Sequence, residues 1–182
     1  FENQADIGPL RKATSAFHML IGFDLEQWMR LLEDYRDGIR ALAVRMLVND
    51  PKGAQMEPLS AVDPFTLWFC LAKDRLLKIA SHDSSPVVRR EIASLIQRLR
   101  IDFRKDLATA LLKHGEDKDD PMIPLLIWYG IEPVVAADPA VGMQLAKVSK
   151  MPKVTGFIYR RLSSDDAGRT SLLKLAAETS DA

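Results

Sequence analysis

The sequence has little of what a chemically active protein or a membrane protein needs. Its 182 residues contain a single cysteine, which excludes an internal disulfide framework and any metal site built from several cysteines. Its 25 basic and 25 acidic residues balance, so the net charge does not favour a polyanionic partner. The longest apolar runs, such as residues 67–72, are far too short to span a membrane, and we predict no membrane span.

Motifs that carry catalysis are also missing. There is no glycine-rich phosphate loop, no Ser-His-Asp arrangement and no nucleophile elbow. The histidines His18, His82 and His114 show no metal-ligand spacing, so we interpret them as structural or solvated. Cys70 lies within the apolar run FTLWFCLA, and we expect it to be buried and inert. We therefore predict no enzyme, no cofactor and no catalytic or metal site.

Two further groups of residues have a structural interpretation. One is an acidic cluster that lacks the glycine and the distal glutamate of a calcium loop, and we interpret it as a solvated turn: Glu116, Asp117, Asp119 and Asp120. The other is a set of tryptophans on apolar stripes, for which we predict core packing rather than a ligand cage: Trp28, Trp68 and Trp128.

Helical signals dominate what is present. Apolar residues recur with the spacing of one helix face, for example at Leu25, Trp28, Met29 and Leu32, and no convincing alternating strand occurs. Four helices are predicted to begin at Asp-Pro or Ser-Pro, at residues 63–64, 85–86, 120–121 and 138–139. Pro133 is predicted to end or kink its helix, and residues 113–115 to close another with a cation and a glycine.

One helical unit recurs along the chain. The segment HDSSPVVRREIASLIQRL, residues 82–99, combines a polar turn, a β-branched residue, an arginine and an apolar stripe. Weaker copies begin at Asp34, Asp119 and Lys150. Copied helical units stack into solenoids. We predict an all-α fold, a right-handed α-α superhelix of about eight or nine paired helices, forming one repeat domain over residues 1–182.

These units resemble HEAT repeats, which place a turn aspartate a few residues before a Val-Arg pair and a small residue. The matching segments run from Asp83 to Arg89 and from Asp34 to Arg40, whereas Pro124 and Thr155 replace the arginine in the other two units. The resemblance implies that Arg40, Asp83 and Arg89 are structural residues at repeat junctions. We expect Arg89 to be at least partly buried and bonded to a turn carboxylate or a helix-end carbonyl.

A second resemblance concerns residues 119–133 (DDPMIPLLIWYGIEP), the turn at residues 88–90 and FIYRRL at residues 157–162. These are similar to the helical segment of large exported planctomycete and verrucomicrobial proteins, labelled as membrane-bound dehydrogenases or haem-binding proteins. That resemblance implies a segment of a larger exported protein, periplasmic or at the cell surface. The 182 residues contain neither the family's propeller nor its cytochrome c domain, and they lack C-x-x-C-H, so the usual covalent haem attachment is missing. The dehydrogenase label of the family cannot be assigned to any residue of this chain.

We therefore predict a non-catalytic scaffold or protein-interaction module, whose partner is a protein or a flanking domain of the parent chain. Contact residues are expected on the second helices of the pairs, which line the concave face in HEAT arrays: Arg90, Arg98, Lys153, Arg160 and Arg161. The alternative is a nucleic-acid-binding module with a basic concave face. A continuous basic face would favour this alternative, and scattered cations would favour the scaffold.

Overall fold

The computed structural model describes residues 25–49 and 64–180, with Lys12 described on its own. Residues 25–49 and 64–180 form nine α-helices and no strand, which confirms the all-α class for this part of the chain. The helices are α1 (Leu25–Leu31), α2 (Asp37–Asn49), α3 (Pro64–His82), α4 (Pro86–Ile96), α5 (Ile101–Leu111), α6 (Ile123–Ala137), α7 (Pro139–Val148), α8 (Pro152–Leu162) and α9 (Asp166–Ser180). A short 3₁₀ helix, Gly115–Asp117, lies between α5 and α6. The right-handed superhelix and the single domain over residues 1–182 stay predictions.

The chain divides into two compact units, residues 1–76 and 77–182. In the first unit α1 packs against α2, and the fully buried Trp28 and Ile39 belong to its core. The ion pair between Glu33 and Arg75 also belongs to this unit. None of the described helices in either unit combines the length and hydropathy that crossing a membrane requires.

The second unit consists of two layers of helices. From α4 to α9 each helix packs against the next helix in the chain and against the next but one. Helices α4, α6 and α8 therefore form one layer, and α5, α7 and α9 form the other. The core between the layers is aliphatic and nearly inaccessible to solvent; it includes Ile92, Ile96, Leu107, Leu111, Ile127, Ile131, Leu145 and Ile158.

Proline marks four of the nine helix starts in residues 25–49 and 64–180. Helices α3, α4, α7 and α8 all begin at a proline, three of them where the sequence predicts. The Asp138 carboxylate accepts hydrogen bonds from Ala140 N and Val141 N, which caps α7. The start predicted at Pro121 is wrong, because α6 begins at Ile123. There the Asp120 carboxylate accepts from Met122 N and Ile123 N at 2.8 and 2.9 Å, which closes a turn before the helix.

Two helices do not end where the sequence predicts. Pro133 does not end α6, which continues to Ala137 because four neighbouring helices pack against it, and the alternative of a kink at Pro133 stays a prediction. Helix α5 ends at Leu111, before Lys113, and Gly115 opens the 3₁₀ helix instead of closing α5. Lys150 N donates to Leu112 O at 2.8 Å at this helix end. A Cβ on Gly115 would lie 3.3 Å from Lys150 Cβ, a tight contact that a larger residue could make only if Lys150 shifted by a few tenths of an ångström.

Two helical glycines of the second unit allow a matched test of this packing. A Cβ on Gly130 would lie 3.0 Å from Cβ of the buried Ile96 and closer still to its Cγ2, whereas a Cβ on Gly156 would meet nothing within 4 Å. We expect Gly130→Ala to destabilise the protein by about 1–3 kcal/mol through overpacking. Gly156→Ala should stabilise it by about 0.5–1 kcal/mol through helix propensity. Urea unfolding measures both changes, and equal signs would contradict the described contact.

Candidate functional site

A buried ion pair joins the head of α4 to the 3₁₀ helix. Arg89 and Asp117 are only 2% and 4% exposed. Arg89 Nε and Nη2 donate to the two carboxylate oxygens of Asp117, each at 2.6 Å, and Nη1 donates to Asp83 O at 2.6 Å. The hydrogen bonds with Asp117 raise the pKa of Arg89. The expectation of a buried Arg89 bonded to a turn carboxylate or a helix-end carbonyl is confirmed, because both partners are present.

The same turn geometry occurs in the first unit. Arg40 Nη1 donates to Asp34 O, six residues earlier, at 2.8 Å, just as Arg89 Nη1 donates to Asp83 O across six residues. Each aspartate accepts a backbone hydrogen bond from the residue two positions later, Arg36 or Ser85, at 2.9 Å. The copied sequence unit is thus a copied structural unit. Whether Arg40, Asp83 and Arg89 mark the junctions of a repeat array stays a prediction.

The turns that follow α3, α5 and α7 are hydrogen-bonded to one another. His114 Nε2 donates to Ala80 O at 2.8 Å, beside the Arg89–Asp117 pair, and Lys150 N donates to Leu112 O at 2.8 Å. His114 Nδ1 also lies 2.7 Å from Glu116 Oε1, and this hydrogen bond lowers the pKa of Glu116. We name this set of contacts the turn ladder.

The acidic cluster is distributed among cations and does not converge on one point. Asp117 binds Arg89, Glu116 binds His114, Asp119 binds Lys118, and Asp120 binds Arg90 at 2.8 Å. The interpretation as a solvated turn is wrong for Asp117. Its carboxylate is buried against Arg89 of α4, a partner 28 residues earlier that no local pattern indicates. Nowhere in residues 25–49 and 64–180 do three potential metal-ligating side chains converge.

The five predicted contact residues lie on both sides of α6. Arg90 on α4 pairs with Asp120, and Arg98 is exposed just beyond the end of α4. Lys153 and Arg160 are exposed on α8, where Arg160 lies 5.9 Å from the centre of the Phe157 ring. Arg161 donates to Glu132 at 2.9 Å and to Asp165 at 3.3 Å. Helix α6 itself carries no basic residue, so it separates the cations of α4 from those of α8.

Arg104 is an important residue that the sequence interpretation missed. From α5 it donates to Leu99 O at 2.8 Å, to Gly130 O at 3.0 Å and to Gln97 O at 3.1 Å. The carbonyls of residues 97 and 99 follow the end of α4, so a cation a few residues later is a usable signal for this contact. No local pattern indicates the contact with Gly130, which is 26 residues away.

The remaining candidates have no shared site. Cys70 is exposed, so the prediction of burial is wrong, because its apolar run covers more than the one helix face that can be buried. Trp28 is in the core as predicted, and Trp128 is half-buried with its ring centre 5.5 Å from that of Phe157. His82 is exposed and lies 3.1 Å from Lys78 O. His18 and the side chain of Trp68 lie outside the described residues.

A cleft of about 220 Å³ opens between α5, α6 and α7. Its lining is mainly aliphatic, and two of its polar groups already have partners, since Lys105 donates to Gln144 and Asp138 caps α7. The convergent polar groups of a ligand or catalytic site are therefore missing from it.

No protein-family model, no curated protein and no solved structure matches this chain.

The Arg89–Asp117 pair predicts a large effect of one substitution. We expect Arg89→Ala to lower the free energy of unfolding by about 3–5 kcal/mol, because it leaves Asp117 buried without its counter-ion. Arg100→Ala is the matched control, since Arg100 pairs with Asp102 at an exposed position and its loss should cost about 0–1 kcal/mol. Urea unfolding of the two variants measures the difference. Equal midpoints would show that the buried pair does not hold the turn.

Asp120 predicts a pH dependence of stability. Burial raises its pKa, but hydrogen bonds from Ile123 N, Arg90 and Met122 N together lower the pKa below its ordinary value of 3.8. Ionised Asp120 therefore stabilises the fold above pH 3.8, and this contribution is lost as the pH falls through its folded pKa. The stability difference between wild type and Asp120→Asn should be constant near neutral pH and shrink below 3.8. Unfolding titrations across this range test it, and a difference independent of pH would contradict it.

Proposed function

We propose that the chain is a non-catalytic, HEAT-like helical-repeat module that serves as a scaffold or a protein-interaction surface within a larger exported protein. The observation that carries the proposal is the Arg89–Asp117 pair, which bonds the turn of one helix pair to the turn of the next. A module of this kind catalyses no reaction; it holds binding surfaces or flanking domains at a fixed spacing.

The packing of the second unit supports a repeat array. Each helix contacts its two successors, which is the nearest-neighbour pattern of stacked helix pairs. The turn geometry at residues 34–40 and 83–89 supports repetition of the unit, since the same carbonyl and amide contacts occur in both. A constant rotation between successive pairs would produce the proposed right-handed superhelix.

The assignments of the polar residues support a non-catalytic role. The most buried charged groups, Arg89 and Asp117, neutralise each other, and His114 is bonded on both ring nitrogens within the turn ladder. A catalytic group needs an open position beside it where a reacting atom can bind. Arg89, Asp117 and His114 instead bond to one turn or to another, and these bonds hold the inter-helix turns together.

The pairing of the cations makes nucleic-acid binding the weaker candidate. Arg161 is already bound to two carboxylates, those of Glu132 and Asp165, and the apolar helix α6 lies between the basic residues of α4 and those of α8. Phosphate backbones are bound by cations that follow the strand continuously. A partner protein, or a flanking domain of the parent chain, suits a face of mixed composition better.

Site-specific photo-crosslinking in the native cells tests the proposal. A photoreactive amino acid at Val87 or Tyr159, both exposed on the α4–α6–α8 layer, should cross-link to a distinct protein or to another domain of the parent. The matched control is Leu173, which is exposed on α9 in the other layer. Partner cross-links confined to Leu173, or a lack of cross-links at all three positions, would contradict an interaction surface on this layer.

A further inference from the structure

Helix α6 is apolar on every side and yet is not buried on every side. Its sequence, IPLLIWYGIEPVVAA, contains one charged residue, Glu132. A helix that is hydrophobic all round normally lies in a core. Here Tyr129 is 59% exposed, and Met122 and Pro133 are exposed as well. One apolar face of α6 is therefore exposed, although a helix of this composition is normally buried on all sides.

The contacts of three consecutive residues define that face. Trp128 packs against Phe157 of α8, and the Cα of Gly130 lies close to Ile96 of α4. Residues two apart on a helix point about 200° apart, so α4 and α8 flank α6 on opposite sides. Tyr129 lies between those two directions and points outward, away from the buried core residues of the same helix.

The outward face of α6 is apolar except at its α8 edge, where Glu132 pairs with Arg161. At helical spacing from Tyr129 it includes Met122, Leu125, Leu126 and Pro133, of which the two leucines are half-buried. We name these five residues the α6 stripe. It contains no charged side chain, whereas an ordinary solvated helix face is predominantly charged or polar.

Cations border the α6 stripe on both sides. On the α4 side, the side chain of Arg90 is 41% exposed and is anchored by Asp120 next to the start of α6. On the α8 side, Lys153 and Arg160 are exposed on a helix that carries no acidic residue. Arg160 is placed beside α6 by its contact with the Phe157 ring, which in turn contacts Trp128.

Building on the proposed function, we propose that the α6 stripe and its bordering cations bind an acidic, apolar-anchored segment of a partner protein. Aliphatic or aromatic side chains of that segment pack on Tyr129 and Met122. Its carboxylates pair with Arg90 on one side and with Lys153 and Arg160 on the other. The charge of the border selects an acidic segment, and the apolar stripe between the cations supplies the buried area.

The composition of the face favours a protein segment over an anionic membrane. Tyrosine, methionine and arginine are enriched at protein interfaces. Anionic lipid surfaces are recognised by clusters of about four to eight basic residues, which exceeds the three cations of this border.

Peptide display on the intact 182-residue chain tests the inference. Random 16-residue peptides are selected against the immobilised protein, and the enriched peptides are synthesised and titrated. We expect peptides that combine Asp or Glu with aromatic or aliphatic residues. Tyr129→Ser should weaken their binding at least tenfold. Leu173→Ser, at an even more exposed apolar position on α9, should leave it unchanged. Circular dichroism and thermal unfolding verify that both variants fold.

A charge exchange tests the border separately. The double variant Lys153→Glu/Arg160→Glu should bind the acidic peptide at least tenfold more weakly, and should bind a version with lysine at the acidic positions more tightly than wild type does. Failure to select any peptide, binding insensitive to Tyr129→Ser, or an equal preference for the acidic and basic peptides would overturn the inference. So would Tyr129-dependent binding to phosphatidylserine vesicles in place of peptides. If cross-links at Val87 and Tyr159 persist in any of these cases, the proposed function stands and only this inference fails.

Discussion

The second unit depends on the buried pair of Arg89 and Asp117. Leaving either charge unpaired inside the protein would cost several kcal/mol, so the head of α4 and the 3₁₀ helix have to meet in one register. The bidentate geometry, with both bonds at 2.6 Å, permits little sliding. The rest of the turn ladder follows from this register, because it brings His114 to the carbonyl of Ala80 and Gly115 against Lys150.

The layered packing explains why α6 is covered by neighbouring helices on most of its sides but not on all of them. Two helices flank it and two more lie beneath it, so three of its sides need apolar side chains. On the side of α4 the helix also needs a small residue, Gly130, where Ile96 approaches. The fourth side faces away from all four neighbours. A side that only contacts solvent has no need to be apolar. The apolar composition of the α6 stripe therefore indicates that something binds there.

Local signals in the sequence were sufficient for most helices and failed where packing overrides them. Three predicted helix starts at a proline agree with the structure, since the missing N–H and the capping carboxylate act within one turn. Pro133 was expected to interrupt α6, but contacts with four neighbouring helices outweigh one lost hydrogen bond. Cys70 was expected to be buried, but an apolar run does not reveal which of its faces will be covered.

The sequence by itself determined the helical class and the turns at Asp34 and Asp83, because each depends on residues within about one or two helical turns. The burial of Arg89 was expected only from the resemblance to HEAT repeats. Only the tertiary structure decided which partners those residues meet. Arg89 and Asp117 are 28 residues apart, Arg161 and Glu132 are 29, and Arg104 and Gly130 are 26. These separations correspond to the step from one helix pair to the next, so such contacts exist only once the pairs have packed and one face of α6 has been left open.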